Sequence, residues 1–192
     1  NGASLVYMNY NQLYKISPDG SGLELIIEIA PNLSYTYVDW TNDPTARLII
    51  RTSTSNQYDG DLYMLNLDGS GEEQIFSNIP GRLSAGSFSV DGNKILFTHD
   101  ISGFENQDGK QLDARIQILD LNNNNYYADF SFEKPAGTND LDPRYSPDGA
   151  SIIFTNTNND GISVKNIYKV KLDGITEERV LLFENAEMPD WQ

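Results

Sequence analysis

The side chains that could act as nucleophiles or soft metal ligands are few in this chain. It contains one histidine, His99, and no cysteine. A Ser-His-Asp triad would have to use His99, but no Gly-x-Ser-x-Gly nucleophile elbow accompanies it. A histidine-based metal site would need partners of the same kind, and the chain has none. The sequence therefore predicts no nucleophilic catalysis, no metal site and no cofactor.

Carboxylates are abundant, with 28 Asp and Glu residues. Two of them a few ångströms apart could serve a glycoside hydrolase. Eight of the 18 Asp residues, however, stand directly before Gly, which is the chemistry of tight turns. The run 156–161 matches the first half of a calcium loop, but Ile167 stands where the last acidic ligand is expected. A simple hairpin loop is the alternative, and it needs no ion.

The charge and composition exclude several classes of partner. The formal net charge is −15, which repels nucleic acids and anionic membrane surfaces. No apolar stretch approaches the length of a membrane-spanning helix. The apolar runs are short and rich in β-branched and aromatic residues, and Gly, Asn, Asp or Pro bound them, which is typical of strands. We therefore predict one all-β domain over residues 1–192.

The chain also repeats itself. An aromatic residue before a polar turn recurs at steps of 48, 57 and 46 residues, at Trp40, Phe88, Tyr145 and Trp191. Between these positions, a Leu-Tyr type of strand runs into an Asp-Gly turn. Four antiparallel strands in each such unit are typical of propeller blades. The pattern predicts a four-bladed β-propeller in which Trp40 and Trp191 are buried at equivalent places between blades.

The two ends of the chain look complementary. Residues 1–7 match residues 148–154, so the chain begins inside the turn between the first two strands of a blade. It ends at Trp191-Gln192, just before the same turn. We predict that residues 189–192 supply the first strand of the N-terminal blade and close a monomeric ring. A larger propeller formed by two chains is the alternative, since it uses the same strand complementarity.

Several stretches resemble the propeller repeat of the Tol-system periplasmic protein and its relatives, the TolB-like family. They are 143–149, 88–92 and 189–191, together with the Leu-Tyr and Asp-Gly stretches at 62–71 and 167–174. The same repeat recurs in the propellers of prolyl-oligopeptidase-like peptidases and of many bacterial surface lipoproteins. The resemblance implies a periplasmic or outer-membrane-associated protein, such as a lipoprotein whose leader has been removed.

The connections that join blades, and those between the second and third strands of a blade, are the long ones. In propellers they share one face, and the longest here runs from residue 99 to about residue 114. Amphipathic rings on such a face suit contact with a protein or a sugar, while plain loop packing is the alternative. The candidate ligand-binding residues are Tyr35, Tyr37, Tyr58, His99, Phe104 and Arg144.

Two functions follow from these observations. The first is a non-enzymatic binding scaffold that presents a loop-lined face to a protein or glycan at the bacterial cell envelope. The second is a carbohydrate-active hydrolase or lyase with acidic residues at the propeller axis. The absence of a catalytic motif favours the scaffold.

Overall fold

The computed structural model describes residues 4–41, 47–53, 60–76, 83–101, 113–123, 126–131, 134–160, 162–173 and 178–191. These residues form fifteen β-strands, and no helix occurs among them. The first two sheets contain β1 (Leu5–Asn9), β2 (Gln12–Ile16), β3 (Glu24–Glu28), β4 (Ser34–Trp40), β5 (Arg47–Ser53), β6 (Gly60–Asn66) and β7 (Glu73–Phe76). The other two contain β8 (Leu83–Phe88), β9 (Lys94–Asp100), β10 (Ala114–Asp120), β11 (Tyr126–Asp129), β12 (Thr138–Tyr145), β13 (Ser151–Asn158), β14 (Asn166–Lys171) and β15 (Val180–Phe183).

Each sheet is an antiparallel meander of strands consecutive in the chain. Blade 1 comprises β1–β3, blade 2 β4–β7, blade 3 β8–β11 and blade 4 β12–β15. The strands β4, β8 and β12 begin their blades, and β8 contacts both β4 and β12, so the three line the inside of the array. Radial antiparallel sheets that meet along their first strands are the architecture of a β-propeller.

Short turns fix where the strands begin and end. The Ser146 hydroxyl lies 2.6 Å from an Asp148 carboxylate oxygen and accepts the Ser151 backbone N–H at 2.9 Å. Ser89 and Asp91 repeat this arrangement in blade 3, at 2.6 Å. The Asp-Gly turns that were predicted from the sequence are therefore small hydrogen-bonded units that set the register of the following strand.

Apolar clusters lie between successive blades. One joins Leu13 of blade 1 to Leu65 of blade 2, a second joins Phe76 of blade 2 to Phe97 of blade 3, and a third joins blades 3 and 4. Gly69 packs so closely on blade 1 that a Cβ there would collide with the backbone of a neighbouring residue, and its φ of 81° is left-handed. The blades are thus held mainly by face-to-face stacking.

The structure bears on two of the predictions, the burial of the two tryptophans and the closure of the ring. Trp40 is 39% exposed, so the prediction that it is buried is wrong. It is the last residue of β4 and lies at the edge of the sheet rather than inside a stack. Trp191 is half-buried. Residues 189–191 form no strand, and among the described residues β1 pairs only with β2, so the predicted closure of the ring is not confirmed.

A buried ion pair secures blade 4. Both guanidinium nitrogens of Arg179 donate to the fully buried Asp140 carboxylate, at 2.9 and 2.7 Å. The Ser131 hydroxyl and the Asn156 amide also donate to this carboxylate, at 2.7 and 2.8 Å. Because Ser131 follows β11, the network ties blade 3 to blade 4. Arg179, Ser131 and Asn156 all donate to the Asp140 carboxylate, and a buried carboxylate requires such donors.

Replacing Arg179 with Met should lower the free energy of unfolding by about 3–5 kcal/mol, because it leaves the Asp140 charge buried without its partner. Urea unfolding followed by circular dichroism measures the change. Lys15→Met is the control, since Lys15 pairs at 3.0 Å with the exposed Glu24, and loss of that pair should cost about 1 kcal/mol or less. Equal effects of the two substitutions would contradict the assignment.

Candidate functional site

The residue before each recurrent aromatic lines a cavity where the inner strands of the blades meet. These residues are Asp39 on β4, Ser87 on β8, Arg144 on β12 and Asp190 near the C terminus. All four line one cavity of about 500 Å³. The other lining residues are Tyr37, Trp40, Phe88, Val90, Tyr145, Ser146, Pro147 and Trp191. The four residues at this repeat position, which are charged or polar, therefore line the same cavity.

A β-bulge interrupts each of the three inner strands at a similar height. The register shifts between Tyr35 and Tyr37 in β4, between residues 84 and 86 in β8, and between Leu141 and Arg144 in β12. In β12, Asp142 has a φ of 52°. A bulge redirects the side chains that follow it. The bulges therefore set how Tyr37 and Arg144 face the axis.

Arg144 is the cation of the cavity. Its Nη1 donates to the Pro143 carbonyl at 2.9 Å and to the Gly86 carbonyl at 3.4 Å. Its guanidinium carbon lies 5.4 Å from the centroid of the Tyr37 ring, a cation–π contact. No carboxylate of the described residues lies within 4 Å of its nitrogens. The charge is held by carbonyls and a ring face, which leaves it without a direct counter-ion in the described part of the chain.

Arg144 offsets only part of the desolvation of the carboxylates around it. Burial raises the pKa of Asp39, although the Trp40 backbone amide and Arg144 oppose the shift, and Asp190 adds to it. Burial also raises the pKa of Asp142, again against the effect of Arg144. The pKa of the Tyr37 phenol is raised by the same desolvation. The cavity therefore contains separated charges of both signs that bound groups of a partner could satisfy.

The structure brings together two of the six predicted site residues, Tyr37 and Arg144. Tyr35 is buried in the cluster between blades 1 and 2. His99 is buried on β9, with Nδ1 3.3 Å from the Gln117 amide oxygen. Neither lines the cavity. Tyr58, Phe104 and most of the 99–114 connection lie outside the described residues.

The cavity opens at the other end of the blades from the predicted loop-lined face. The exposed Trp40 and Val90 stand at or just after the ends of β4 and β8, where the turns to β5 and β9 begin. In an antiparallel meander, these turns and the connections between blades lie at opposite ends of the sheets.

The sequence analysis missed Asp39, Ser87 and Asp190 as candidate site residues. Their constant position directly before the recurrent aromatic could have identified them.

The possible calcium loop has its own hydrogen-bonding explanation. The Asn156 side chain is committed to Asp140. Asp160 accepts the backbone N–H groups of Ile162 and Ser163, at 3.0 and 2.9 Å. In the described part of the chain, no group of three potential acidic, His or Cys ligands is arranged around a metal position.

The described residues also contain no helix long and apolar enough to cross a membrane.

Comparison with known proteins supports the fold. No family model matches the sequence, and no curated protein matches it significantly. Among solved structures, TolB from Acinetobacter baumannii is 22% identical, with a TM-score of 0.65 over 93% of this chain and 40% of that chain. A chain of a nidogen/laminin complex is 13% identical, with a TM-score of 0.70 over 98% and 64%.

An oligogalacturonate lyase from Vibrio parahaemolyticus is 16% identical, with a TM-score of 0.58 over 88% of this chain and 46% of the lyase. The chain therefore spans less than two thirds of the length of each of these three proteins. At such identities, similarity shows the fold alone. The protein has a β-propeller fold, and the predicted resemblance to TolB-like propellers is confirmed at that level.

Asp39→Asn should raise the melting temperature at pH 7 by a few degrees. With a raised pKa, the folded state binds its proton more tightly than the unfolded state, so stability falls as the pH rises through the interval from the unfolded to the folded pKa. The gain should therefore vanish as the pH falls toward about 4, near the carboxyl's ordinary value. Thermal melts across this range test the expectation.

Asp19→Asn is the matched control. The Ser21 side chain and backbone hydrogen-bond to the exposed Asp19 carboxylate and lower its pKa. Its stabilising contribution is present above the unfolded pKa and is lost as the pH falls through the folded pKa, so this variant should melt lower at pH 7. A lower melting temperature for Asp39→Asn at pH 7 would show that the charge of Asp39 is well compensated.

Proposed function

We propose that this protein is a non-enzymatic binding scaffold whose axial cavity receives part of a protein or glycan partner. The observation that carries the proposal is the convergence of Asp39, Ser87, Arg144 and Asp190 on one cavity. Their side chains come from three inner strands and the C-terminal segment. Sheets hold Asp39, Ser87 and Arg144, and such preorganisation lowers the entropic cost of binding.

The cavity has the size and chemistry of a ligand site. Pockets of roughly 300–1,000 Å³ with a few convergent polar groups are typical of such sites, and this one is about 500 Å³. The guanidinium of Arg144 offers donors to carboxylates, carbonyls or hydroxyls, while Asp39 and Asp190 offer acceptors. Donors and acceptors in one cavity suit a ligand that carries both kinds of group, as peptides and glycans do.

The cellular setting is part of the proposal. The resemblance to TolB-like repeats supports a place at the bacterial cell envelope, either periplasmic or associated with the outer membrane. The acidic surface, at a net charge of −15, disfavours nucleic acid as the partner.

The two tryptophans make the binding test direct. Trp40 and Trp191 are the only tryptophans of the chain, and both line the cavity. Intrinsic fluorescence should therefore change when a glycan fragment or an envelope protein occupies it. Arg144→Met should weaken that binding about 10- to 100-fold, the usual cost of a hydrogen bond to a charged group.

Lys15→Met serves as the control for charge, since Lys15 lies on β2 and pairs with Glu24 outside the cavity. It should leave the affinity unchanged. Binding that both substitutions weaken equally would point to the general electrostatic field. Binding that neither substitution weakens would contradict a role for the axial cavity.

A carbohydrate-active enzyme is the second candidate, because one observation favours it. The cavity contains both Asp39, a half-buried carboxyl of raised pKa, and the exposed Asp190. Carboxyl groups in contrasting environments can divide the acid and base roles of glycoside chemistry. Incubation with an oligosaccharide panel decides between the candidates: products formed by the wild type and not by Asp39→Asn would establish the enzyme and overturn the scaffold.

A further inference from the structure

Apolar side chains surround the mouth of the cavity. Trp40 and Val90 are 39% and 47% exposed, Pro147 is also exposed, and all three line the cavity. They stand at or just after the ends of the first strands of blades 2, 3 and 4. The Val90 Cγ2 lies 3.4 Å from the position that a Cβ of Gly149 would take, so the turns of blades 3 and 4 adjoin. Exposed apolar groups gathered around one opening are typical of an interaction surface.

The carboxylates inside this rim have no direct cationic partner. Asp39 and Asp190 both line the cavity, and neither forms an ion pair with any of the described residues. Burial raises the pKa of Asp39, Asp190 raises it further, and the more distant Arg144 offsets only part of the rise. A positive charge close to two such carboxylates stabilises their ionised forms. The cavity therefore favours a cation as one group of its ligand.

Aromatic rings add to this preference for a cation. Trp40, Trp191 and Tyr37 all line the cavity. The Lys169 ammonium lies 5.5 Å from the centroid of the Trp191 ring, and the Arg144 guanidinium lies 5.4 Å from that of Tyr37. Such rings attract a cation to their faces. Among the described residues, no cation lies on the exposed Trp40 ring, so this ring is available to a cation of a partner.

The hydrogen-bond donors of the cavity require acceptors on the same ligand. Within the described structure, Arg144 donates only through Nη1, so its Nε and Nη2 remain available. Ser87 is only 7% exposed, and its hydroxyl makes only long contacts, 3.4 Å to the Phe88 carbonyl and 3.5 Å to the Tyr145 backbone nitrogen. A ligand carboxylate would be repelled by Asp39, so uncharged carbonyls suit these donors better. A peptide segment with a basic side chain supplies both carbonyls and a cation, whereas a neutral glycan supplies no cation.

We propose a partner for this cavity, an inference that rests on the proposed binding function: a protein segment inserts a Lys or Arg side chain there. The inserted cation pairs with Asp39 and Asp190, and main-chain carbonyls of the same segment accept hydrogen bonds from Arg144 and Ser87. Apolar residues beside the basic residue pack on the rim around Trp40. The net charge of −15 attracts such a segment from solution.

Selection from a library of random short peptides tests the preference for charge without knowledge of the natural partner. The wild-type protein should enrich peptides in which Lys or Arg is flanked by apolar residues, and Asp39→Asn should lose the enrichment in Lys and Arg. Asp19→Asn is the matched control. It removes the same charge from an exposed turn outside the cavity, and it should select the same peptides as the wild type.

Titration of a selected peptide, followed by tryptophan fluorescence, measures the size of the effect. Replacing the basic residue of the peptide with norleucine should weaken binding to the wild-type protein about 10- to 100-fold, the usual cost of a hydrogen bond to a charged group. The same replacement should change the affinity for Asp39→Asn by less than about threefold, because the two groups act as a coupled pair.

Each other outcome has a definite meaning. Selected peptides that are acidic or uncharged, or a basic preference that Asp39→Asn keeps, would overturn the inference. If no peptide is selected but a glycan fragment binds and Arg144→Met weakens that binding, the inference fails while the binding scaffold stands. A protein that binds neither peptides, nor glycan fragments, nor envelope proteins contradicts both proposals.

Discussion

The structure depends on one constraint: a propeller blade with two apolar faces must be covered on both. The inner blades meet this requirement through three apolar clusters, in which strands such as β9 and β13 are buried on both sides. The hydrophobic effect rewards this stacking in proportion to the apolar area removed from water. Everything else, including the convergence of the first strands at the axis, follows from how the blades stack.

The axial cavity is a consequence of the same repeat. Each recurrent aromatic and the residue before it stand where the inner strands of neighbouring blades meet, so both line the cavity. Because the repeat does not fix the identity of that residue, the four positions hold two Asp, one Ser and one Arg. Each repeat has an aromatic residue at the same position, whereas the residue before it varies and can contribute to binding. The site therefore differs from blade to blade although the backbone does not.

Much of the fold could be predicted from the sequence, because strand-length apolar runs and Asp-Gly turns are local signals. The side chains of Ser146 and Asp148 form their turn wherever the strands lie. Trp40 was misjudged because periodicity identifies a repeat position without showing whether the chain nearby covers it. Arg144 and Tyr37 were found among the candidates, but their meeting depends on bulges in β4 and β12 and on the stacking of three blades, which no local pattern encodes.

The central claim is that stacking between neighbouring blades stabilises the sheets. Hydrogen exchange measures it most directly, since it reports local opening. The account predicts that amides of β9 and β13, whose strands are buried on both faces, exchange most slowly, and that amides of β1, where Leu5 and Tyr7 are exposed, exchange faster. Equal protection of β1, β9 and β13 would contradict the account.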